Sequence, residues 1–263
     1  MTVTLAVANQ KGGVGKSATA VSLGSALARL GRRALIVDLD PQANATSALG
    51  VSKELERSIH GVLVREELPA DAVTGTTVPG LDLLPSSVDM AAVELELVPL
   101  MGREFRLRAS LSRLTDFDLV LIDCPPSLGL LTVNALVAAD HVIVPVQCEY
   151  LALEGLAQLV RTIEAVRGRL NPTLSIIAIL LTMEDRRNRL SMQVANEVTQ
   201  HFPQLVAEAR IPRSVRLAEA PSHGMPIDIY DPSSRATAAY AQFAREIESR
   251  LAAKPAITAM AAS

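Results

Sequence analysis

Tryptophan is absent from the 263 residues, while Phe occurs four times and Tyr three, so aromatic packing cannot carry the core. Leu, Val, Ile and Ala must fill it, and with 49% of the residues apolar they suffice for one large close-packed interior. That excludes a disordered chain. Cysteine is nearly missing: Cys124 and Cys148 stand in apolar contexts with no His at metal-site spacing, which argues against a disulfide framework, a structural metal or an iron–sulfur cluster. No uncharged apolar run reaches the length of a membrane span. Residues 1–8 form a short apolar run directly against a glycine-rich loop and leave no room for a signal peptide, so a cytoplasmic protein is expected. A net charge of −3 gives no global attraction for nucleic acid, yet Arg161 to Arg216 holds nine Arg against five acidic residues, a local balance of +4 that a basic face would produce.

What is present is a repeating alternation of aliphatic runs and helical stretches. Thr2 to Ala8 reads as a buried strand, Asn9 to Gly15 as a turn, Lys16 to about Leu30 as a helix stopped by Gly31, and Ala34 to Leu39 as a second strand ended by Asp40-Pro41. This is a βαβ unit, parallel and right-handed. Further strands are expected at Leu81–Leu84, Leu119–Ile122, Val142–Val146 and Leu174–Leu180. Helices are expected at Val88–Val98, Arg103–Leu114, Leu128–Ala138, Leu153–Leu170, Leu190–Phe202 and Ser233–Leu251. The stretch 52–80 reads as small surface helices, and Ala209–Pro226, with three Pro and one Gly, as a functional loop. The fold class is therefore α/β: a mostly parallel, twisted sheet with helices on both faces. The Ala-rich tail 252–263 lacks a basic amphipathic stripe and reads as flexible rather than membrane-seeking.

The chemistry concentrates where the first strand meets the first helix. In Gly12-Gly13-Val14-Gly15-Lys16-Ser17-Ala18, small residues let successive backbone N–H groups curve around phosphate oxygens, and the helix N-terminus adds its dipole. Lys16 suits the β and γ phosphates and the Ser17 hydroxyl suits Mg²⁺. The general phosphate-loop pattern is not matched letter for letter, because Gln10 stands at its first Gly and Lys11 precedes the paired glycines. Lys11 offers a second ammonium, either to its own subunit's phosphates or to those of a facing one. Asp38 and Asp40 lie at the end of the second strand and Asp123 at the end of Leu119–Ile122, all expected at the sheet edge that carries the loop. Three acids around a polyphosphate imply a cation, so charge balance calls for magnesium.

Lys11–Ser17, Asp38-Leu39-Asp40-Pro41-Gln42-Ala43-Asn44, Asp123-Cys124-Pro125-Pro126-Ser127, Thr182-Met183-Glu184-Asp185-Arg186-Arg187 and Ile211–Leu217 together resemble the ParA family of deviant-Walker ATPases, in particular its short Soj-like chromosomal members. The resemblance implies a single P-loop ATPase domain over residues 1–251 with ATP and Mg²⁺ as ligands. It makes Lys11 the signature lysine that reaches across an ATP-sandwich homodimer, Lys16 the in-cis phosphate lysine, Asp40 the acid that positions the attacking water, and Ser17, Asp38 and Asp123 the supports of the metal. Ser17 stands where the family usually has Thr, and Glu184 where it has an apolar residue. Met183 and Pro212 match neighbourhoods that border adenine; Arg187, Arg213 and Arg216 match the family's nonspecific DNA-binding face. A ParB-type centromere-binding partner, slow basal turnover and nucleoid association are also implied. A MinD-like membrane-associated positioning ATPase and a nucleotide-gated scaffold are the competing readings.

Overall fold

A computed structural model describes residues 2–253 other than Leu151 and Arg186. Its centre is an eight-stranded sheet: β1 (Val3–Val7), β2 (Ala34–Asp38), β3 (Thr74–Gly75), β4 (Leu81–Leu84), β5 (Leu119–Asp123), β6 (His141–Gln147), β7 (Ser175–Glu184) and β8 (Val206–Pro212), in the order β3-β4-β2-β5-β1-β6-β7-β8. Every pairing is parallel except the short β3 on β4. The inner strands are aliphatic throughout because both faces are covered. One face carries a core around Val37, Ile122, Leu131, Leu136 and Leu159; the other carries a core around Leu23, Leu27, Ile36, Leu121, Tyr240 and Phe243. The helix Lys16–Arg29 and the closing helix Arg235–Ala252 cover the second face, the first ending at Gly31 with φ of 89°. Among the described residues no helix is long and apolar enough to cross a membrane.

Three expectations change. The stretch read as a loop, Ala209–Pro226, begins inside edge strand β8, where Ala207, Ala209 and Ile211 are inward and Glu208 is exposed, the period of two of a half-buried strand. Its three Pro and one Gly all lie past Ile211, in the strand end at Pro212 and the segment behind it. That segment holds the helix Val215–Glu219, capped by Ser214 Oγ accepting from Leu217 N at 3.2 Å, and a 3₁₀ turn Ala220–His223. The helices expected at Val88–Val98 and Arg103–Leu114 are each broken into a 3₁₀ turn and a short α-helix. In the second, the buried Asn134 side chain takes over backbone groups, donating to Arg103 O at 2.8 Å and accepting from Leu107 N at 3.2 Å. The helix Ile59–Val64 lies in the core, not on the surface, with Ile59, Val62 and Leu63 wholly buried. The expectation for the tail falls, from residue 254 onward, outside the described residues.

Candidate nucleotide site

Strand register builds the acidic wall. Val7, Asp123 and Asp38 are neighbours across β1, β5 and β2, so both carboxylates project from the face covered by helix Lys16–Arg29. Asp38 Oδ1 accepts from Asp40 N at 3.1 Å, and Oδ2 accepts from Thr46 N and Thr46 Oγ1, each at 2.7 Å. Burial pushes its pKa up to about 6 despite these donors. Asp38 thus holds the chain after β2, where Ala43 is forced to φ of 52° as the helix Asn44–Ala48 starts. Asp123 is the opposite case: it is completely buried and neither carboxylate oxygen meets a donor in hydrogen-bonding geometry. Burial, then Asp38 beside it, raise its pKa well above the carboxylate range, against smaller opposing pulls from the nearby Ser17 hydroxyl and from Lys16.

The phosphate loop is tied at both ends. Asn9 Nδ2 donates to Pro145 O at 2.7 Å and its Oδ1 accepts from Lys11 N at 3.0 Å, while Thr182 Oγ1 on β7 donates to Val14 O at 2.8 Å. Gly13 and Gly15 have φ of 74° and 88°, left-handed values that a side chain would strain. Lys16 is buried and its Nζ donates to Lys11 O at 3.0 Å, spanning the loop. Burial lowers its pKa, opposed by the charge of Asp123 foremost and by Asp40. Asp40 is buried just past β2; its Oδ1 accepts from Gln42 N at 2.9 Å and its carbonyl from Ser86 Oγ at 2.9 Å. Lys11 alone of this group points outward, with Nζ 3.5 Å from Glu149 Oε2.

A buried carboxylate without donors next to a serine hydroxyl and a lysine is a donor set that suits magnesium, which takes one or two protein oxygens and keeps the rest for water and phosphate. In keeping with so sparse a set, no three His, Cys, Asp or Glu side chains form a metal cluster among the described residues. The oxygens of Asp38, the third residue expected to support the metal, both accept hydrogen bonds within the protein.

Met183 and Pro212 fall on adjacent strand ends, since Glu184 pairs with Pro212 across β7 and β8; the irregular register there gives Met183 a φ of 51°. At these strand ends opens a cavity of about 740 Å³ lined by Pro212 itself and by Arg187, Arg210, Arg213 and Arg235 with Glu184 and Asp185. Two of the three expected DNA-face arginines therefore share one cavity. Arg216 does not line it: it lies on helix Val215–Glu219, with Nη1 3.1 Å from Glu219 Oε2 and its guanidinium 6.0 Å from the Tyr230 ring. Arg210, Arg235, Thr46 and Glu149 were not singled out from sequence, and Thr182 was quoted only as part of a motif, without its contact to the loop. An alternation of small and charged residues through Ala207–Ile211 was the available signal for Arg210; the others become visible only through contacts distant in the chain.

A family model described as an AAA domain matches residues 2–176. Over 245 residues the chain is 50% identical to the sporulation initiation inhibitor protein Soj of Bacillus subtilis, covering 92% of this chain and 97% of that one. Over 250 residues it is 52% identical to the chromosome partitioning protein ParA of Caulobacter vibrioides, covering 94% of each. A Mycobacterium smegmatis structure named cobyrinic acid a,c-diamide synthase, with a bound ATP analogue and magnesium, superposes with a TM-score of 0.86 at 40% identity over 97% of this chain and 98% of that one.

Proposed function

The chain belongs to the ParA/Soj family of deviant-Walker P-loop ATPases, and on that premise we propose how its residues operate a nucleotide-dependent DNA-partitioning switch. It is an ATPase that uses ATP and Mg²⁺ and acts in chromosome or plasmid partitioning, as relatives bearing those names do. The observation that carries the assignment of parts is the wholly buried Asp123, whose two oxygens meet no donor in full hydrogen-bonding geometry and lie near the Ser17 hydroxyl and the Lys16 ammonium. In this reading the backbone N–H groups of Gly12 to Ala18 and the Lys16 ammonium receive the phosphates, and Ser17 and Asp123 hold the magnesium. The metal supplies the positive charge that lets phosphates lie against carboxylates. Asp38 fixes the loop that presents Asp40, and Asp40 orients the attacking water. Met183 and Pro212 border the base. Lys11, partly exposed at the surface, reaches the nucleotide of a second subunit, and the closed homodimer doubles a weak patch containing Arg187, Arg213 and Arg216 into one that holds duplex DNA through its phosphates. A ParB-type partner would accelerate hydrolysis and reopen the dimer.

The test records mass and duplex-DNA binding together with ADP, ATP and a slowly hydrolysed ATP analogue. The switch predicts a dimer and tight DNA binding with ATP and the analogue alone; indifference of both readouts to nucleotide sinks it. An ATP-dependent amidation, suggested by the name of the Mycobacterium smegmatis structure, finds less support here. If glutamine were the nitrogen donor, an accessible thiolate would be needed, but Cys124 and Cys148 are both buried, and burial pushes Cys148 up to about 11 and Cys124 higher still. For the MinD-like reading, capture by liposomes with ATP and without DNA capture would reverse the preference.

A further inference from the structure

Glu149 lies just past β6, and its carboxylate faces two cations from different sites. Oε2 lies 3.5 Å from the Nζ of Lys11 in the phosphate loop, and Oε1 lies 3.4 Å from the Nη2 of Arg213, which lines the arginine cavity at the end of β8. Gln147 Nε2 also donates to Oε1 and holds the carboxylate in place from its own strand. The side chains of Lys11, Glu149 and Arg213 are 43, 45 and 61% exposed, so all three can exchange partners without unfolding anything.

We infer that Glu149 is a shared anionic brake, an internal competitor of nucleotide phosphate for Lys11 and of DNA phosphate for Arg213. This rests on the roles proposed above for those two cations. In the resting chain the two cations share one carboxylate, which lowers the positive potential that each site shows to a phosphate. Either ligand alone therefore meets a resistance that a neutral side chain at position 149 would not impose. Exposure and salt keep the effect modest, on the scale of an exposed ion pair, and it fades as ionic strength rises. The brake weakens the DNA contacts of the nucleotide-free chain at low salt, where stray phosphate contacts are strongest.

The test compares the full chain with E149Q, which keeps the shape and an acceptor oxygen but removes the charge. Binding of a short duplex by the nucleotide-free chain, at about 50 mM salt where phosphate contacts are strong, and binding of a fluorescent ATP analogue with Mg²⁺ are measured side by side. E149Q should tighten both by roughly three- to fivefold. E154Q, a charge removal on the exposed first turn of helix Ala152–Arg169, serves as the control and should change neither by twofold. The DNA gain should vanish when E149Q is made in R213A, and the ATP gain when it is made in K11A. Gains equal to those of E154Q, or gains that persist undiminished in R213A and K11A, overturn the brake. Wild-type protein that fails to bind DNA in every nucleotide state overturns the proposed function instead, and the ATP measurement with its K11A partner then decides the brake on its own.

Discussion

At the phosphate loop Lys16, Asp38, Asp40 and Asp123 are 6, 0, 4 and 0% exposed, whereas on the arginine face the side chains of Arg213 and Arg216 are 61 and 60% exposed. Both regions are proposed to meet phosphate, and both follow the ends of parallel strands, yet they treat solvent in opposite ways. The buried site holds ionisable groups that water barely reaches, positioned by strand register and a helix N-terminus, so each group is specified by the fold. The arginine face holds charges that water already solvates, Arg213 and Arg216 each with a surface acid as resting partner, so the two should act nearly independently.

The sharpest way to break this contrast is at Asp40. Asp40→Ala should leave ATP binding within a fewfold of wild type and depress hydrolysis by roughly 10²–10⁴-fold, the usual worth of a group that positions or activates the nucleophile; single-turnover hydrolysis and nucleotide binding measured on one preparation check it. Normal turnover would remove Asp40 from the reaction. Lys16→Ala should weaken ATP binding by about 30- to 100-fold, the loss of a charge-assisted contact in a buried setting. Titration with a fluorescent nucleotide reads this directly, and near-normal affinity would mean that the loop's N–H groups hold the phosphates alone.

Asp123→Asn sharpens the comparison from the side of stability. Without ligand, the change removes an ionisable group that no donor satisfies, and the empty protein should gain about 1 kcal/mol or more, roughly 2–4 °C in Tm, as expected when function rather than folding keeps a charge buried. The same variant should lose most of the Tm increase that Mg²⁺ with nucleotide gives the wild type, and chelation of the metal should bring the wild type to the same level. A destabilised empty Asp123→Asn protein would show that Asp123 serves packing and not the metal.

The contrast in burial also explains what was legible in the sequence. The βαβ unit, the phosphate loop and the acids at the ends of β2 and β5 were readable because buried parallel strands are aliphatic throughout and stop at a polar residue at the sheet edge, as Leu119–Ile122 stops at Asp123. Strand β8 was not readable: at the sheet edge its alternation of Ala with Glu208 and Arg210 was outweighed by the Pro and Gly residues after it. Asp38 resembled Asp123 in sequence, and only the contact with Thr46, in a short helix that composition does not announce, separates an acid with satisfied oxygens from one with open ones. Glu149 gave no signal at all, because its meaning lies in two partners 138 and 64 positions away in the chain.

The smallest effects belong to the arginine face, and their smallness is what the comparison requires. Arg213→Ala and Arg216→Ala should each weaken ATP-dependent DNA binding by about three- to tenfold and lower the slope of log affinity against log salt by roughly one contact each. Arg216 must first leave Glu219 and the Tyr230 ring, which absorb part of what a phosphate would return, so its loss should sit at the lower end of that range. Because the two arginines touch different acids, the double variant should show the product of the single losses. A hundredfold loss from either single change, or a double variant no worse than one of the singles, would mean that these exposed side chains work as one cooperative unit, as the buried lysine and carboxylates do, and the distinction between the two regions would collapse.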